Sequence, residues 1–123
     1  MVNTMLIKVA EQISKNAVTQ KAGAQLFNMI HDDLKKENHV SIDFSGVEVY
    51  SSPFFNISIG RLYADIDETT IKNHLEIRYI TPVGSQVLRS VIENAKRYYA
   101  LTPEEKSKQD QVDREFFADE DFM

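Results

Sequence analysis

The spacing of apolar residues changes several times along the chain, and each change predicts an element. Met5-Leu6-Ile7-Lys8-Val9 is a compact apolar run that reads as a first strand. From about Thr19 to Lys36 the period lengthens, and Ala22, Leu26, Met29, Ile30 and Leu34 form the stripe of an amphipathic helix. The polar run Lys35-Lys36-Glu37-Asn38 ends that helix. Val40, Ile42 and Phe44 then alternate with Ser41 and Asp43, the period of two expected of a strand. Gly46 marks a turn. Ser52-Pro53 offers a capping hydroxyl followed by a proline whose fixed φ suits the first helical position. Phe55, Ile59, Leu62 and Ile66 recur at spacings of four, three and four, which predicts one helix from Ser52 to about Asp65.

The segment from Asp67 to His74 holds turn formers and a single apolar residue, and reads as a loop or one helical turn. Leu75 to Ile80 alternates cleanly, as a strand with one buried face does. Thr81-Pro82 repeats the cap-and-proline device and starts a helix that turns Val87, Leu88, Val91, Ile92, Ala95 and Tyr98 or Tyr99 inward. Thr102-Pro103-Glu104-Glu105 has the spacing of a capping box. Alternating strands and helices of these lengths predict an α/β sandwich with right-handed crossovers. Its mixed or parallel central sheet should have about four strands, with Val40–Phe44 in the middle and helices packed on it.

Strand, bend and helix between Val40 and Leu62 carry more than architecture. Asp43-Phe44-Ser45-Gly46-Val47, a short run, and then Ser51-Ser52 before a helix resemble the central motif of the STAS family, the sulfate transporter and anti-sigma factor antagonist domains. That motif reads roughly as D-hydrophobic-S-G-V, then D-S-S-G at a helix start. Ser51 stands where the family places its aspartate, Pro53 where it places a serine and Phe54 where it places a glycine. The small-residue pair followed by an aromatic is closer to the divergent STAS-like domains of unknown function. The similarity spans approximately Val18 to Tyr99, with motif-level detail in Asp43–Leu62.

The resemblance implies a regulatory protein-binding module acting by partner switching. It makes Ser52, with Ser51 beside it, the phospho-acceptor candidate, and implies an ATP-binding serine kinase of the histidine-kinase-like fold as a partner. It also implies that Asp43 is structural and holds the turn that follows. A phosphate at a helix start would meet unpaired backbone N–H groups and the positive end of the helix dipole. Capping alone also explains a serine at this place. Ser51, Ser52 and Phe54 are therefore expected at or near the surface, where a protein partner would cover them.

Composition narrows the alternatives. The chain has 123 residues, no cysteine and a net charge of −5. That length suits one compact domain, and the missing cysteines exclude a disulfide framework and thiolate metal sites. Met1 to Gln12 lacks the pattern of a secretory signal, and no apolar run is long enough to span a bilayer, so a cytoplasmic protein without membrane contact is expected. Residues 104–123 hold eight acids against three bases, which leaves residues 1–103 neutral. The division expected is a STAS-like domain over 1–103 and an acidic C-terminal helix or tail over 104–123. A neutral body without clustered Lys and Arg predicts no nucleic-acid partner.

No convergent catalytic set is visible. His31, His39 and His74 are widely separated, with no metal-type spacing, and His31-Asp32-Asp33 reads as a solvated helix end. The four glycines are isolated, so no phosphate loop exists. The expectation is no enzyme, no cofactor and no metal. A second reading makes the protein a small standalone inhibitor or adaptor. In it the acidic aromatic tail, with Phe116, Phe117 and Phe122, is part of the partner-binding surface.

Overall fold

The computed structural model describes residues 4–100. The expectations for the capping box at Thr102 and for Phe116, Phe117 and Phe122 lie outside the described residues. Among the described residues five strands form two parallel sheets. Strands β1 (Thr4–Lys8), β3 (His39–Asp43) and β5 (Leu75–Arg78) make the larger one in the order β1-β3-β5, and β2 (Asn16–Ala17) pairs with β4 (Val49–Tyr50) in the smaller. The strand expected at the centre is there, flanked by parallel neighbours on both sides.

The register explains why the sequence alternates. Met5, Val40 and Leu75 stand side by side, as do Ile7, Ile42 and Ile77, and these two rows face the core. The alternate rows are Leu6, Ser41, Glu76 and Lys8, Asp43, Arg78, which are polar except for Leu6. A one-residue slip would send every apolar row to the outer face, so the pattern pins the pairing. Ser41, the central member of its row, is buried and donates to Glu76 Oε1 at 3.2 Å; Arg78 Nε lies 2.6 Å from the same oxygen.

Five α-helices accompany the sheets among the described residues: α1 (Val9–Gln12), α2 (Gln20–Lys35), α3 (Ser52–Ser58), α4 (Glu68–His74) and α5 (Pro82–Tyr99). Thr19 and Thr81 cap α2 and α5, accepting from Ala22 N and Gly84 N at 3.0 Å each. Helix α2 buries Ala22, Leu26, Ile30 and Leu34, four of the five residues of its predicted stripe, with Met29 half-buried against the core. It ends in a Schellman closure: Glu37 N donates to Leu34 O and Asn38 N to Asp33 O, with Glu37 in the left-handed region at φ 63°. That reversal is what lets β3 begin at once. None of the described helices is long and apolar enough to cross a membrane.

Two expectations need correction. The helix from Ser52 does not reach Asp65; α3 stops at Ser58, and a 3-10 turn over Gly60–Ala64 follows. Ser58 is fully buried and its hydroxyl donates to Phe54 O at 2.8 Å, a side-chain bond that competes with the helical ladder near the break. The apolar spacing survives the break, since Phe55, Ile59, Leu62 and Ile66 are all buried. The second correction is Asp67–His74, where Asp67 caps a seven-residue helix, longer than the loop or single turn expected. The Asp67 carboxylate accepts from Thr69 N at 3.2 Å, and Ile71 anchors the helix in the core. Asp67 is a helix-start signal that resembles a turn former when only one apolar residue follows.

Candidate functional site at the start of helix α3

The site is assembled by backbone and side-chain bonds from one serine. Ser51 N donates to Ala17 O at 2.9 Å, extending the β2–β4 pairing by one residue. Its hydroxyl donates to Val18 O at 2.6 Å and accepts from Phe54 N at 3.3 Å. Ser51 has extended dihedrals and occupies the N-cap position of α3. The cap is therefore Ser51, not Ser52 as expected. Ser52 is the first helical residue and Pro53 the second, where its missing N–H costs no helical bond. A hydroxyl one residue inside the helix no longer faces the first-turn amides, so Ser52 is left exposed.

Phe54 is the larger correction. Expected near the surface, it is completely buried, with its ring edge-on to Phe55 at 5.3 Å between centroids. Helix α3 packs against α2 and also against α5, so its apolar arc is wider than the single stripe through Phe55 and Ile59. A helix enclosed from two sides buries adjacent positions, and Phe54-Phe55 is the adjacent aromatic pair that could have signalled this.

Tyr50 joins the rim to the body. Its ring stacks on Phe55 at 6.0 Å and tilts against Phe44 at 5.8 Å. It also lies on Gly84 in the first turn of α5, where a Cβ would stand 2.8 Å from two ring carbons. The ring thus ties β4 to the start of α5, and its hydroxyl is buried with no hydrogen-bond partner among the described residues.

Four exposed apolar side chains belong to the segments that Tyr50 ties together. Val18 is 36% exposed, Val49 49%, Tyr79 70% and Val83 67%, and they make up four of the five exposed large apolar side chains among the described residues. Val18 and Val49 adjoin the paired residues Ala17 and Tyr50, and Val83 adjoins Gly84. Tyr79 follows Arg78, whose carbonyl accepts from Phe44 N, and has φ 58°. A bulky side chain in the left-handed region is uncommon, and it marks where β5 breaks off toward α5. Sequence reading missed all four, because single exposed valines and tyrosines carry no periodic signal.

The charged residues nearby are structural. Asp43 Oδ1 accepts from Ser45 N at 2.7 Å and holds the turn at Gly46, where φ is 85°. The side chain and amide of Ser45, with Lys8 and Arg78 beside them, hold the Asp43 carboxyl below the usual carboxylate range. His31 is not a solvated helix end. Its Nε2 lies 2.9–3.0 Å from both Asp65 oxygens, and its ring stacks on Phe27 at 4.7 Å. Lys35 Nζ also reaches Asp65 at 3.2 Å. Burial pushes the Asp65 pKa up, but the bonds from His31 and Lys35 outweigh it and leave the carboxyl below its ordinary value. Among the described residues no three His, Asp or Glu side chains gather as a metal site.

Two predictions follow from this geometry. Ser51→Ala should cost about 1–2 kcal/mol through the lost cap. Ser52→Ala should move the urea midpoint hardly at all; a larger loss for Ser52 than for Ser51 would restore the original cap assignment. The second prediction concerns acid. Both carboxylates have depressed folded pKa values, so their stabilisation is complete above the unfolded value of about 4 and is lost as pH falls through the folded one. Melting temperature should hold between about pH 7 and 5 and decline below about 4. Asp65→Asn should flatten part of that decline, and an unchanged acid slope would show that its ion pair contributes nothing.

A family model described as "STAS-like domain of unknown function (DUF4325)" matches residues 22–84, just over half of the chain, from the first turn of α2 to the first turn of α5. No curated protein and no solved structure matches it.

Proposed function

We propose, because the chain belongs to the family of STAS-like domains of unknown function, that it is a non-enzymatic regulatory module which docks another protein on the rim at the start of α3. The observation that supports this most is the exposure of Val18, Val49, Tyr79 and Val83, each next in sequence to a segment that pairs with β4 or leads into the start of α5 under the Tyr50 ring. Isolated exposed apolar residues are ordinary; four on segments joined through the half-buried Tyr50 offer a surface suited to being covered. Ser52 is exposed beside them, whereas Ser51 is committed to Val18 and Phe54. In this reading Ser52 is the position a serine kinase would modify, and the kinase is an ATP-binding protein of the histidine-kinase-like fold. Phosphate at Ser52 would add close to two negative charges beside an apolar contact and oppose docking.

Affinity capture from a lysate of the source cells, with purified protein as bait, tests both halves. Val49→Asp with Val83→Asp should abolish recovery of a partner that the unmodified chain retains. Ser52→Asp should weaken recovery while Ser52→Ala preserves it. Should the Val49/Val83 variant hold its partner undiminished, docking occurs elsewhere. Equal recovery by both Ser52 variants would leave docking intact but remove its regulation by phosphate.

A further inference from the structure

We draw no further inference here: the strongest candidate, the exposed apolar side chains Val18, Val49, Tyr79 and Val83 on the segments flanking β4 and the start of α5, belongs to the docking surface already proposed, and nothing in the structure shows what chemistry covers it.

Discussion

Phe54→Ala should lower the free energy of unfolding by about 3–5 kcal/mol, the range for emptying a fully buried aromatic site. Phe54 has no exposed surface, and it sits in the first turn of α3 where that helix meets α2. Truncation would remove the ring that packs edge-on against Phe55 and leave a cavity in the core. Small domains have only about 5–15 kcal/mol in total, so the variant should sit close to the limit of folding. Urea unfolding measures it: the midpoint should fall sharply while the m-value holds. A variant of unchanged stability that had lost only partner capture would return Phe54 to the surface, as the motif comparison first placed it.

Gly23→Ala should also destabilise, by about 1–3 kcal/mol, although alanine is normally the better helix former by about 1 kcal/mol. The sign reverses because α3 lies directly against α2 at this residue. A Cβ on Gly23 would lie 2.5 Å from the Phe54 carbonyl oxygen and 3.3 Å from Ile57 Cβ. The obstacle is backbone, which cannot swing aside as a flexible side-chain tip can. Relief requires the two helices to part, and that loosens Phe54 and Leu26 together. A melting temperature raised by Gly23→Ala would mean that helix propensity outweighs the close approach and that the crossing has room to spare.

The elements with strong periodicity were legible in the chain because their signal is local. Thr19 and Thr81 cap the helices they were expected to start, β3 lies at the sheet centre, and Phe55, Ile59, Leu62 and Ile66 are all in the core. Asp43 holds its turn as the resemblance implied. Less legible were short elements whose existence depends on neighbours. The two-residue strands β2 and β4 have no pattern of their own, and they form because Ala17 and Tyr50 are brought into register by the helices that follow them. Helix α4 has one buried residue, Ile71, so only its Asp67 cap could have revealed it.

At the candidate site the division is sharper. The residues Ser51, Ser52 and Phe54 were found as a group, because a serine pair before a proline and an apolar run is a helix start in any context. Their separate roles were not local properties. Which serine caps depends on where Val18 O lies, and Val18 belongs to a segment more than thirty residues earlier. Whether Phe54 is exposed depends on α2 crossing at Gly23. Whether β4, which carries Val49, lies beside the start of α5, which carries Val83, depends on Tyr50 reaching across to Gly84. By itself the sequence determined the periods, the caps of the two long helices and the core stripes of this protein, since those arise between residues a turn or a pleat apart. The tertiary structure alone decided which serine caps α3, which aromatic is buried and which apolar side chains stay exposed, because each is set by contacts between distant segments.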